Sequence, residues 1–148
     1  MDCVLCKINT GMIPSKGIVK KYSFWTLMIS REQHTLCTLV LFLHRHTVRF
    51  SSINLQELKE FHQIQKDTEF AVDNLFSPEL YNYLQCGNSV NHLHVHIIPR
   101  YKETKEFLQK KYSDEHYGNT VKETTNIEEE SIIIALRDTI NKRLPQLS

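Results

Sequence analysis

The chain has 148 residues, 41% hydrophobic and 24% charged, a balance that suits one soluble globular domain, so residues 1–148 read as a single unit. A formal net charge of +1 argues against a nucleic-acid or membrane surface, and no run approaches the roughly 20 apolar residues of a membrane-spanning helix. The opening Met1-Asp2-Cys3-Val4-Leu5-Cys6-Lys7 lacks the basic and apolar segments of a secretion signal, which points to a cytoplasmic protein whose four cysteines stay reduced unless they bind metal.

Cys3 and Cys6 form a Cys-x-x-Cys pair. A redox pair belongs at the start of a helix after a strand, and no strand precedes this one. A structural zinc site needs two further ligands, and no second Cys-x-x-Cys supplies them. From spacing alone, zinc and two unremarkable small residues stand even. Residues 17–22 and 23–29 read as two short strands. The second is apolar almost throughout and suits a central strand covered on both faces. A polar break, Ser30 to His34, follows, in which His34 reads as a surface histidine. Leu36 to Leu43 is a strongly β-favouring run ending in His44-Arg45-His46, with Cys37 a buried, inert thiol.

A helix is expected between Ser52 and Phe76, with Leu55, Leu58, Phe61, Ile64, Ala71, Val72 and Leu75 as its apolar stripe, Ser52 or Asn54 as N-cap and Pro78 beyond its end. His62 falls on its wet side. Leu80 to Gln85 reads as a strand, joined by the turn Cys86-Gly87-Asn88-Ser89 to a second strand in an antiparallel hairpin. That second strand is Asn91-His92-Leu93-His94-Val95-His96-Ile97-Ile98-Pro99-Arg100-Tyr101. Its three histidines alternate with aliphatic residues, so an extended chain sends all three imidazoles to one face. A core cannot satisfy three adjacent imidazoles; a metal, a phosphate or water can. Lys102 to Thr125 is charged and irregular, its lysines equally consistent with polyphosphate steering and with a solvated loop. Asn126-Ile127-Glu128-Glu129 has capping-box spacing for a last helix to about Leu144, with Ile133, Leu136, Ile140 and Leu144 inward and Pro145 as its stop.

Gly87-Asn88-Ser89-Val90-Asn91 followed by His92-x-His94-x-His96-Ile97-Ile98 resembles the signature of the histidine triad (HIT) family of nucleotide hydrolases and transferases. The resemblance implies an α+β fold: an antiparallel sheet of about five strands with a long helix and a C-terminal helix, commonly as a homodimer. It also implies a nucleotide phosphohydrolase or nucleotidyl transferase that works through a nucleotidyl-histidine intermediate. His94 would attack the α-phosphate. His96, Ser89 and the backbone of the Gly87 turn would meet its oxygens, with His96 also placed to protonate the leaving group. Asn88 stands where the family has glutamine, and Asn82 matches a family asparagine near the phosphates. Some members begin as Cys3-Val4-Leu5-Cys6-Lys7-Ile8 does and hold a structural zinc, a pattern that carries over to Cys3, Cys6, His46 and His92. Two departures stand out. Ser30 occupies the place of an acidic ribose-binding residue, with Gln33 as a substitute, and Thr38 replaces a further family histidine.

Neutral imidazole is nucleophilic near pH 7, provided that one ring nitrogen is bare and the other donates to a fixed acceptor; a carbonyl on the neighbouring strand would serve. A catalytic metal on the triad itself is excluded by reach. Positions i, i+2 and i+4 of a strand span roughly 13 Å, against about 2 Å from each ligand to an ion. The structural zinc is therefore the only metal expected. The alternative function is a non-catalytic nucleotide-binding or sensor module, to which Thr38 lends weight. Dinucleoside polyphosphates and nucleoside phosphoramidates fit the same nucleophile.

Overall fold

The computed structural model describes residues 2–146. Five strands, β1 (Ile18–Lys21), β2 (Trp25–Ile29), β3 (Leu39–Leu43), β4 (Leu80–Leu84) and β5 (His94–Arg100), form one antiparallel sheet in the order β1-β2-β3-β5-β4. Helices α1 (Val4–Asn9), α2 (Leu55–Phe76) and α3 (Glu130–Arg143) complete the α+β fold.

Side-chain alternation gives the sheet two different faces. Trp25, Leu27, Ile29, Leu39, Leu41, Leu43, Val95 and Ile97 form one, and they share a core with Phe61, Ile64, Ala71 and Val72 of α2 and Ile133, Leu136 and Ile140 of α3. The other face carries Met28, Val40 and His96 in one cross-strand row and Thr26, Phe42 and His94 in the next. Cys3 and Leu5 of the N-terminal segment cover part of it, packing on Phe42 beside Met28 and Val90. The middle strands are thus buried on both sides, as their unbroken apolar runs require.

Several elements depart from the sequence reading, each for a local reason. β3 begins at Leu39 rather than Leu36, because Cys37 takes a left-handed φ of 67° and breaks the extended run. α2 is capped by Asn54 through a full capping box with Glu57. Its first turns do not bury the expected Leu55 and Leu58, which are 83% and 42% exposed. The inward position there belongs to Glu57, whose carboxylate receives Arg45 at 2.6 and 2.9 Å while its carbonyl accepts the Trp25 indole N–H. α3 starts at Glu130 with no side-chain cap. The expected box fails because residues 126–128 run extended against the β2–β3 loop: Gln33 N–H donates to the Asn126 carbonyl, and Glu128 N–H donates to that of Arg31.

The segment after Tyr101 contains a small hairpin, β6 (Lys105–Phe107) and β7 (Lys110–Tyr112). Its turn residues Leu108 and Gln109 have φ of 49° and 65°, the two positive values a two-residue turn of the primed type needs, without the Gly or Asn that normally betrays it. Arg100 then ties the following loop to the sheet. All five guanidinium protons are placed: Nε and Nη2 on the Asp114 carboxylate, Nη1 on Asn82 Oδ1 and the Asn119 carbonyl, and Nη2 also on the His116 carbonyl.

Candidate active site and metal cluster

β5 starts at His94, and His92 lies just before it in the nine-residue connection from β4, so the expected single face of three imidazoles is split. His92 is buried and turns toward the N-terminus. Its Nδ1 lies 3.3 Å from Cys3 Sγ and 3.5 Å from Cys6 Sγ, and Cys6 Sγ lies 3.4 Å from His46 Nδ1. One ligand atom from each of Cys3, Cys6, His46 and His92 falls within a 4.8 Å cluster. A tetrahedral ion bound by sulfur at about 2.3 Å and nitrogen at about 2.0 Å holds its ligands roughly 3.6 Å apart, so the donors fit zinc in type, number and spacing. His92 Nε2 sits 2.6 Å from the Leu43 carbonyl. A carbonyl only accepts, so this nitrogen carries the proton and Nδ1 is bare toward the sulfurs, the arrangement typical of a metal-binding histidine. Packing raises the Cys6 thiol pKa, first by desolvation and then by the neighbouring Cys3. A bound cation would offset both.

His94 and His96 turn into a cavity of about 480 Å³ whose rim includes Gly87, Asn88 and Ser89. His94 Nδ1 lies 2.6 Å from the His92 carbonyl. The acceptor is thus two residues back in its own segment, not on the neighbouring strand as expected. The consequence for the ring is the same: Nδ1 holds the proton and Nε2 keeps its lone pair. The His96 ring meets His94 at 5.3 Å between centroids. Burial, reinforced by His94 and His34, pushes its pKa down to about 4, so it is neutral at pH 7. Gly87 adopts a φ of 67°, which glycine takes without penalty.

Other expected site residues lie elsewhere. Asn82 shares a face with His96, but its side-chain oxygen accepts from Arg100 and it borders a different hollow, with Tyr117 and Asn119. Gln33 is buried and spends its amide on Ser30 and Thr38, so it cannot stand in for an acidic ribose ligand, whereas Ser30 does line the cavity. The Thr38 hydroxyl bonds to the Thr35 backbone. His34, read as a surface residue, lines the cavity with its ring 6.2 Å from His96. Val121, Lys122 and Glu123 from the long charged segment form the far wall. No sequence period marks either of these.

The HIT domain profile matches residues 11–103, well over half of the chain. This chain belongs to the HIT family. Among curated relatives, an uncharacterized HIT-like protein of Methanocaldococcus jannaschii is 30% identical over 112 residues, covering 72% of this chain and 85% of the relative. Among solved structures, a HIT-like protein involved in cell-cycle regulation from Bartonella henselae superposes with a TM-score of 0.74 at 17% identity, covering 97% of this chain and 96% of that one. A zinc-bound histidine triad family protein from Mycobacterium smegmatis has a TM-score of 0.63 at 16% identity, with coverage of 96% and 97%. The diadenosine triphosphate hydrolase of Plasmodium falciparum gives 0.66 at 12% identity, with coverage of 88% and 77%. At these identities the structures share the HIT fold with this chain. Among the described residues no helix is long and apolar enough to cross a membrane.

Proposed function

We propose that this HIT protein is a nucleotide phosphohydrolase or nucleotidyl transferase in which His94 attacks the α-phosphate. The observation that carries the reading is the 2.6 Å contact from His94 Nδ1 to the His92 carbonyl, which leaves Nε2 as a free lone pair on a cavity-lining ring. Attack would form a bond from Nε2 to phosphorus and break the bond to the leaving group, which departs with the electron pair. Water would then attack the nucleotidyl-histidine and return the lone pair to Nε2. A cavity of about 480 Å³ is of ligand size. The Gly87 turn, Asn88 and Ser89 supply donors for the phosphate oxygens, and neutral His96 offers one ring N–H. Asn82, occupied by Arg100, has no part in this reading. The diadenosine triphosphate hydrolase neighbour supports a phosphoanhydride among the substrates.

Cys3, Cys6, His46 and His92 would hold one structural zinc, supported by their spacing and by the zinc-bound neighbour. The ion would fix the N-terminal segment to the sheet and set the backbone whose carbonyl orients His94. We also infer a homodimer, as the family resemblance implies; the open hydrogen-bonding edge of β4 supports pairing of copies.

Rapid mixing with diadenosine triphosphate followed by acid quench and mass spectrometry tests the central step. A nucleotidyl adduct mapping to His94 and lost in H94A is expected. Turnover that survives in H94A would refute the assignment. Binding without turnover in the wild-type protein would favour the sensor alternative.

A further inference from the structure

A third imidazole faces the pocket. His34 stands in the β2–β3 loop, edge-on to His96 at 6.2 Å and 75° between ring planes. It borders the triad cavity and also a second cavity of about 410 Å³, beside residues 110–116, so it is a wall residue of both. Its neighbours hold it there. Gln33 is locked by three amide hydrogen bonds to Ser30 and Thr38, and the Thr35 hydroxyl donates to the carbonyl of Pro99 on β5, the strand of His96. On both facing rings, His34 and His96, Nδ1 is buried without a partner. Unpaired buried nitrogens are rare, and two on adjacent rings mark a polar pair that the fold itself leaves unsatisfied.

We propose that His34 is a further catalytic residue, the group that delivers a proton to the leaving group during attack by His94. This role rests on the nucleotidyl-transfer reading above. As Nε2 of His94 bonds to phosphorus, the bond from phosphorus to the leaving nitrogen or oxygen breaks, and its electron pair takes the proton of the His34 imidazolium. The water that cleaves the nucleotidyl-histidine gives its proton to solvent and returns the lone pair to Nε2 of His94. Neutral His34 regains its own proton from solvent, so both rings are restored and only the first step needs His34. His96 suits this task less well, because burial and its two imidazole neighbours keep it neutral across the physiological range. His34 also borders the space outside the triad pocket, where it can exchange protons with solvent.

The test compares two leaving groups. Adenosine 5′-(p-nitrophenyl phosphate) releases a phenolate that needs no proton, whereas an adenosine 5′-(alkyl phosphoramidate) releases an amine that does. In H34Q, kcat should fall about 100-fold on the phosphoramidate and less than about threefold on the nitrophenyl ester, the lower end of what general-acid catalysis supplies. In H34A, added imidazole should restore the phosphoramidate reaction alone. Equal losses on both substrates, no loss on either, or rescue of both would overturn the proposal. Failure of the parent reading looks different: the wild-type protein would then form no His94 adduct with either compound, and the role of His34 would fall with it.

Discussion

Arg100 and Asp114 form an ion pair with both side chains only 3% exposed. Two of the five guanidinium donors go to Asp114 at 2.6 and 3.0 Å, and the other contacts fix Asn82 and the loop carbonyls of His116 and Asn119. In D114A the guanidinium remains buried with an uncompensated charge. Removing one partner of such a pair costs about 3–5 kcal/mol, far above the value of a surface pair. For a domain of this length, each kcal/mol moves Tm by roughly 2–4 °C, so a fall of about 6–20 °C is expected. A thermal melt followed by circular dichroism measures the fall in Tm, and urea unfolding measures the free-energy loss, with an unchanged slope showing that the compact state is intact. The R100M/D114L double variant should recover part of the loss, because no bare charge remains. It should not recover all of it, because Asn82 and two carbonyls lose their donors. A D114A cost below about 1 kcal/mol would show that water reaches the pair, and the reasoning would fail.

Metal analysis of protein prepared without chelator should find about one zinc per chain, and C3S should lose it; a full complement of zinc in C3S would remove Cys3 from the ligand set. Nuclear magnetic resonance of the His96 ring should show a midpoint near 4 rather than the usual value of about 6.5. A lowered folded-state value means that the unfolded chain takes up this proton first, so His96 contributes stability above about pH 6.5 that is lost as pH falls from there toward 4; a midpoint near 6.5 would contradict its burial. N54A should cost about 1 kcal/mol through loss of the α2 cap, read from denaturant midpoints, and an unchanged midpoint would show that the cap contributes nothing. Arg45, with help from the Asn54 amide, lowers the Glu57 pKa, so E57Q should be less stable than wild type at pH 7. The gap should close as pH falls below the ordinary glutamate value of roughly 4.3, and a gap that persists at pH 2 would exclude this origin.

Short-range pattern makes part of this site legible in the sequence alone. Strict alternation around Val95 places His94 and His96 side by side, and ligand chemistry with the family pattern brings Cys3, Cys6, His46 and His92 to one cluster, although 89 positions separate Cys3 from His92. Features decided by competition for a partner are not legible in this way. The side-chain oxygen of Asn82 accepts from Arg100, whose remaining acceptors include a loop that no period announces. Asn126 has the spacing of a cap, yet its side chain donates to the Gln33 carbonyl instead. Leu55 and Leu58 continue a helical stripe on paper, but the ion pair of Glu57 occupies the inward position. His34 carries no sequence signal because its place over His96 comes from the closed bonds of Gln33 and Thr35, both polar residues in a segment that reads as solvated.

His92 faces two ways at once. Its imidazole belongs to the sulfur cluster, while its backbone oxygen grips the His94 ring. On the proposed reading, zinc removal should therefore lower the rate of the His94 reaction before it unfolds the protein: with its anchor loose, the carbonyl wanders, the neighbouring imidazole is free to exchange its tautomers, and the fraction poised to react shrinks while the turn at Gly87 to Ser89 keeps its place. On that reading, protein stripped of zinc should still bind nucleotide and turn it over slowly.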